Sequence, residues 1–101
     1  MDWHLSVHIA SLKDEQITEL EVDGKKLCLL RKGTEVFSFA ATCPHSGARF
    51  CEGWLDVQGR IVCPMHKYRF DATNGRNTSG EGYKLKTFPV ELRGDEIYVQ
   101  F

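Results

Sequence analysis

Cys43-Pro44-His45 and Cys63-Pro64-Met65-His66 set two thiols and two imidazoles in a pair of short segments, with seventeen residues between His45 and Cys63. Cysteine thiolates and histidine ring nitrogens are donors for soft and borderline transition metals. Two sulfurs and two nitrogens suit a tetrahedral zinc ion. They equally suit a two-iron, two-sulfur cluster in which two histidines replace two cysteines on one iron. Structural zinc sites usually keep about two to four residues between paired ligands, and Cys-x-His falls short of that spacing.

The local backbone must bend for these donors to meet. In a regular strand Cys43 and His45 would point to one side about 7 Å apart, too far for a compact site. Pro44 and Gly47 let the first segment curl, and Pro64 does the same in the second. Each pair is therefore expected on a loop tip. Between them, Trp54–Val57 and Arg60–Cys63 bracket Gln58-Gly59, a hairpin that would return the second loop beside the first.

The remaining elements read as strands. Trp3, Leu5, Val7 and Ile9 alternate with His4, Ser6 and His8, which predicts a half-buried strand with His4 and His8 on its solvated face. Ile17–Val22 and Lys25–Leu30 flank Asp23-Gly24, a strong two-residue hairpin signal. Lys32-Gly33 leads to Val36–Ala40, rich in aromatic and β-branched residues. Tyr68–Phe70 runs into the Asn74-Gly75 turn, and Phe88–Arg93 and Glu96–Phe101 surround Gly94-Asp95. Only Ser11–Gln16 offers a turn of helix. The pattern predicts an all-β fold, an antiparallel sandwich or small barrel of short strands, with residues 1–101 as one domain.

Four cysteines in 101 residues do not make a disulfide framework here, since two belong to the paired motifs. Cys28, inside Leu27-Cys28-Leu29-Leu30, reads as a small buried thiol, and Cys51 as an unpaired one. No apolar run reaches the length of a membrane span, and the amino terminus has no basic segment followed by an apolar stretch. No membrane association is expected, and the expected location is cytoplasmic. A net charge of −1 argues against nucleic-acid binding. Between Arg60 and Lys86, however, six bases face two acids, so that stretch carries +4 and the remainder −5. A basic collar beside a redox centre would steer an acidic partner.

The order Cys-x-His then Cys-x-x-His at this interval resembles the Rieske iron–sulfur family, and the likeness to its ferredoxins covers nearly the whole chain. It extends to His66-Lys67-Tyr68-Arg69-Phe70-Asp71, to Thr73-Asn74-Gly75, and to Leu85-Lys86-Thr87-Phe88-Pro89-Val90. The resemblance implies one [2Fe-2S] cluster per chain, with Cys43 and Cys63 on one iron and His45 and His66 on the other. It also implies a three-sheet β fold with the cluster loops at one tip. Three functions follow as alternatives. One is an electron carrier between a flavin-dependent reductase and a terminal oxygenase. Another is the small subunit of an assimilatory nitrite reductase, partnered by its large subunit. The third is a zinc-stapled structural module. No catalytic site is expected in the chain itself, because no further His and carboxylate set for mononuclear iron is visible, nor a nucleotide-binding glycine motif.

The resemblance also bears on potential. Two imidazoles in place of two thiolates leave the oxidised cluster neutral, which eases reduction relative to an all-thiolate cluster. High-potential members of the family carry a disulfide between the loops, and the corresponding positions here are Ala48 and Met65. Those members also place Ser and Tyr hydroxyls where this chain has Tyr68 and Phe70, so hydrogen bonding to the cluster sulfurs is reduced. Two departures from the common ferredoxin pattern stand out: Lys67 where Gly is usual, and Ser79-Gly80-Glu81-Gly82 in place of a Pro-rich loop. The expected midpoint lies in the lower part of the family range of roughly −150 to +300 mV. Protein-film voltammetry measures it directly, and a midpoint near the top of that range would contradict the reading.

Overall fold

The computed structural model describes residues 2–43, 49–65, 67–78 and 84–101, apart from the side chain of Cys51. Ten strands are present among them: β1 (Trp3–His8), β2 (Ile17–Val22), β3 (Lys25–Lys32), β4 (Glu35–Ala40), β5 (Trp54–Leu55), β6 (Ile61–Val62), β7 (Arg69–Phe70), β8 (Thr87–Phe88), β9 (Val90–Arg93) and β10 (Glu96–Gln100). They form three antiparallel sheets, ordered β1-β10-β9, β2-β3-β4-β8 and β5-β6-β7. The all-β, antiparallel expectation holds.

Strand β3 lies at the centre and explains the layering. Alternate residues of a strand face opposite sides, so a strand covered on both sides reads as an unbroken apolar run. Leu27 and Leu29 join Val22, Val36, Ile97 and Val99 in one core, against the β1-β10-β9 sheet. Cys28 and Leu30 join Phe39, Phe50, Ile61 and Phe70 in a second, against the β5-β6-β7 sheet. All four residues of the run are fully buried, which accounts for Cys28 as a small core residue.

The hairpin signals held, with β2-β3, β5-β6 and β9-β10 pairing antiparallel across Asp23-Gly24, Gln58-Gly59 and Gly94-Asp95. Asp23 (φ 46°) and Gly24 (φ 83°) are both left-handed, the geometry of a tight two-residue turn that matches the twist of its strands. Gly75 (φ 75°) has a stricter requirement, since a Cβ there would collide with the Leu85 carbonyl oxygen while the Gly75 carbonyl accepts from the Leu85 N–H at 2.8 Å.

The first strand differs from its sequence pattern. Trp3 (38% exposed) and Leu5 (49%) point outward, whereas His4 points in and stacks on Phe101 with ring centroids 3.9 Å apart. His4 Nδ1 also meets the Asp23 carboxylate at 2.5 Å, so this histidine is a packed side chain and not a solvated one. A register irregularity between Leu5 and His8 is the cause: one slipped residue flips every side chain beyond it, returning Val7 and Ile9 to the core. His8 stays exposed, as expected. The helical turn falls on Ile9–Ser11 and not on Ser11–Gln16, because the His8 ring accepts from the Ala10 N–H at 3.1 Å and starts it early.

Two other boundaries move. Val57 leaves its expected strand and is fully exposed in the turn, where the Asp56 carboxylate accepts the N–H groups of Gln58 and Arg60, both at 2.9 Å. These bonds, that from Arg60 first, hold the Asp56 pKa below the ordinary 3.8. The expected strand over Phe88–Arg93 splits at Pro89, which has no N–H to donate to a ladder. Its first part pairs with β4 and its second with β10, so the chain changes sheets there.

Gly75→Ala should therefore cost about 3 kcal/mol or more, combining a left-handed backbone with a backbone collision. Gly24→Ala has open space around it and should cost about 1 kcal/mol. Chemical denaturation of the two variants checks the order.

Candidate metal centre

Cys43 follows β4 and Cys63 follows β6, two strands from different sheets. Both side chains are buried, at 3% and 0% exposure, and both belong to the same core with Phe39, Phe50 and Phe70. The sequence thus brings together two thiols twenty positions apart, as the hairpin argument required. His45 and His66, like Ala48 and the Ser79–Gly82 stretch, lie outside the described residues, as does the Cys51 side chain. Among the described residues no group of three metal-ligating side chains forms, as follows when two of the four expected donors fall outside them.

Each ligand segment is closed at its root by backbone pairing. Thr42 and Arg49 form an antiparallel bridge across the first, and Phe50 N–H reaches the Ala41 carbonyl at 3.0 Å. In the second, Cys63 N–H donates to the Tyr68 carbonyl at 2.9 Å, continuing the Val62–Arg69 pairing of β6 and β7. Cys43 and Cys63 therefore each leave a rigid base at the end of a strand and lie outside the strands themselves. The two bases are packed together tightly: a Cβ at Gly53, just past the first loop, would collide with the Val62 carbonyl oxygen.

An aromatic column holds the bases in place. Phe39 of the central sheet meets Phe50 edge-on (5.7 Å, 85°), and Phe50 meets Phe70 of β7 likewise (5.8 Å, 88°). Edge-to-face contacts of this kind add about 0.5–1.5 kcal/mol each beyond area burial. Phe70 is fully buried and carries no hydroxyl, consistent with the reduced hydrogen bonding expected at that position.

Polar braces complete the frame, and sequence alone offered no signal for them. Arg49 binds Glu19 of β2 through two bonds, Nε at 3.2 Å and Nη2 at 2.6 Å, a pairing thirty residues apart in the chain. The Lys32 ammonium donates to the Gly59 carbonyl at 2.7 Å, tying the β5-β6 hairpin to the central sheet. Asp71, after β7, accepts from Thr73 Oγ1 (2.5 Å) and Thr73 N–H (2.8 Å); these bonds hold its pKa below the ordinary 3.8.

Two buried thiols in one apolar core, each followed in sequence by a histidine within three residues, fit a group needing two thiolates and two further donors. The fold and these residues define an antiparallel β protein built to hold such a centre. The profile of the Rieske [2Fe-2S] domain family matches residues 2–89, and the chain belongs to that family. A [2Fe-2S] cluster is the family's cofactor. The ferredoxin component of a naphthalene 1,2-dioxygenase system from Pseudomonas aeruginosa is 30% identical over 98 residues, covering 96% of this chain and 93% of that protein. The ferredoxin of carbazole 1,9a-dioxygenase from Nocardioides aromaticivorans superposes with a TM-score of 0.88 at 27% identity, over 98% of this chain and 97% of that one. A putative NADH-dependent nitrite reductase small subunit from Mycobacterium tuberculosis shares the fold at 20% identity, with a TM-score of 0.85 over 97% and 93% of the chains. No helix among the described residues is long and apolar enough to cross a membrane.

Lys67, which departs from the family's usual Gly, has φ 57°. The second loop needs a left-handed residue there, and a side chain pays about 1 kcal/mol for that conformation. Lys67→Gly should raise stability by about 0.5–1 kcal/mol, whereas Lys67→Ala should not, because it removes the charge without relieving the backbone. Denaturant midpoints of the cluster-loaded variants separate the two.

Proposed function

We propose that the chain, as a single domain over residues 1–101, is a cytoplasmic one-electron carrier. Cys43 and Cys63 would supply the thiolates to one iron of the cluster, and His45 and His66 the imidazoles to the other. The observation that carries this reading is the convergence of Cys43 and Cys63 in one buried core beneath two loops closed at their roots.

A cluster bound there would supply one-electron redox chemistry, at a potential raised by imidazole ligation. The protein's own contribution is to hold the donors still and dry. The Phe39–Phe50–Phe70 column excludes water from the thiol side, and the Thr42–Arg49 and Cys63–Tyr68 pairings fix where each loop departs. A rigid base beneath Cys43 and Cys63 would limit how far the thiols move between oxidation states, which favours fast electron exchange. With Cys43 and Cys63 buried in the apolar core, an electron would leave on the side of the histidine ligands and not through that core.

The donor is a flavin-dependent reductase and the acceptor a terminal oxygenase. The naming of the 30%-identical relative and of the carbazole-system structure as ferredoxins of dioxygenase systems supports this choice. The likeness to a nitrite reductase small subunit, at 20% identity, speaks to architecture alone. Catalysis resides in the partner, and the present chain is its electron supply.

The dithionite-reduced protein should give an electron paramagnetic resonance spectrum with the lowered average g value of mixed nitrogen and sulfur ligation. Cys63→Ala should abolish that spectrum and the brown colour together. A colourless wild-type protein containing zinc would overturn the proposal.

A further inference from the structure

Four cations gather at the end of the central sheet from which the first candidate ligand loop emerges. Lys25 opens β3, Lys26 follows it, Lys86 immediately precedes β8, and Arg49 closes the loop against Thr42. They line a cavity of about 300 Å³ together with Glu19 and Phe88.

Among the described residues, three of these cations, Lys25, Lys26 and Lys86, have no counterion. The Lys25 ammonium lies 5.3 Å from the Phe88 ring centroid and the Lys86 ammonium 5.6 Å from it, so one aromatic ring attracts two like charges. Glu19, the acid lining the cavity, is engaged by Arg49. Glu21 stands opposite Lys26 across the β2-β3 ladder but makes no ion pair with it. Among the described residues no carboxylate pairs with Lys25, Lys26 or Lys86. The chain as a whole carries −1, so this concentration is local. It shares Lys86 with the collar suggested by residues 60–86 but is otherwise built from outside that stretch, by Lys25, Lys26 and Arg49, while Arg60 is paired with Asp56 at 3.3 Å.

We propose that this groove receives an acidic segment of the redox partner and so turns the cluster end of the chain toward it. The proposal rests on the electron-carrier reading. A carboxylate-bearing side chain suits the site better than a hydrated inorganic ion, because the Phe88 ring and the Ala40 and Ala41 side chains offer apolar surface for its aliphatic stem. Convergent cations beside the exit loop would raise the encounter rate and fix the docking register, both in a salt-dependent way.

Hexaglutamate peptide is the probe, titrated against the cluster-loaded protein by fluorescence anisotropy at about 10 mM ionic strength, where the Debye length is about 30 Å. Lys25→Glu/Lys86→Glu should weaken binding about fivefold or more. Lys13→Glu/Arg93→Glu makes the same change of net charge at the opposite end of the molecule, near Gly33 and the β9-β10 turn, and should change binding less than about twofold. Equal weakening in both variants, no weakening in the first, or displacement of the peptide by sulfate at equal concentration would overturn the groove assignment. The reduced-state paramagnetic spectrum of all three proteins is recorded alongside. Its absence in the wild type would retire the electron-carrier reading, and the peptide titration would still decide whether the groove binds acidic chain.

Discussion

Burial of β3 on both faces is the constraint from which the rest of the molecule follows. A strand whose successive residues Leu27, Cys28, Leu29 and Leu30 are all withdrawn from water must have a layer on each side. The terminal strands β1, β9 and β10 supply one layer. The small β5-β6-β7 sheet, which carries the second ligand loop, supplies the other. The candidate metal centre is therefore not appended to a finished domain. Cys43 and Cys63 are members of the core that covers one face of β3, so folding of the domain and convergence of the thiols are one event.

That coupling matters because the ligand-bearing sheet is itself slight. Its strands have two residues each, too short to be stable as an independent hairpin. Stability reaches it through contacts with the central sheet: the Phe39–Phe50–Phe70 column, the bidentate Glu19–Arg49 pair and the Lys32 bond to the Gly59 carbonyl. Arg49 is 56% exposed and Glu19 17%, so the pair gains more from its fork geometry than an isolated surface pair would. The ring column is the stronger element, and it stands directly beside the two thiols.

Charge is distributed with the same economy of place. The acids after β5 and β7, Asp56 and Asp71, are turned inward on their own turns, accepting backbone and hydroxyl hydrogens that keep them ionised. The lysines at the start of β3 and before β8 are instead gathered over Phe88 beside the first loop. A chain that is almost neutral overall thus presents a positive surface near the end through which electrons would pass.

The sequence by itself determined the chemistry and the strand inventory. Two Cys and two His in two proline-containing segments pointed to a two-sulfur, two-nitrogen donor set, and paired turn residues such as Asp23-Gly24 located hairpins, because donor chemistry and turn geometry are local properties. Of the four proposed ligands only Cys43 and Cys63 fall among the described residues, and these two converge in one core as their spacing across the β5-β6 hairpin suggested. Tertiary structure decided what local pattern does not encode. The slip between Leu5 and His8 reversed the faces of β1, so that His4 packs on Phe101 while Trp3 and Leu5 face outward. Pro89 divided one expected strand between two sheets. The partnerships Glu19–Arg49 and Lys32–Gly59 span about thirty residues of chain, and no periodicity announces them. A register shift of one residue or an ion pair between distant loops is settled by which faces finally cover one another, and that is a property of the packed molecule alone.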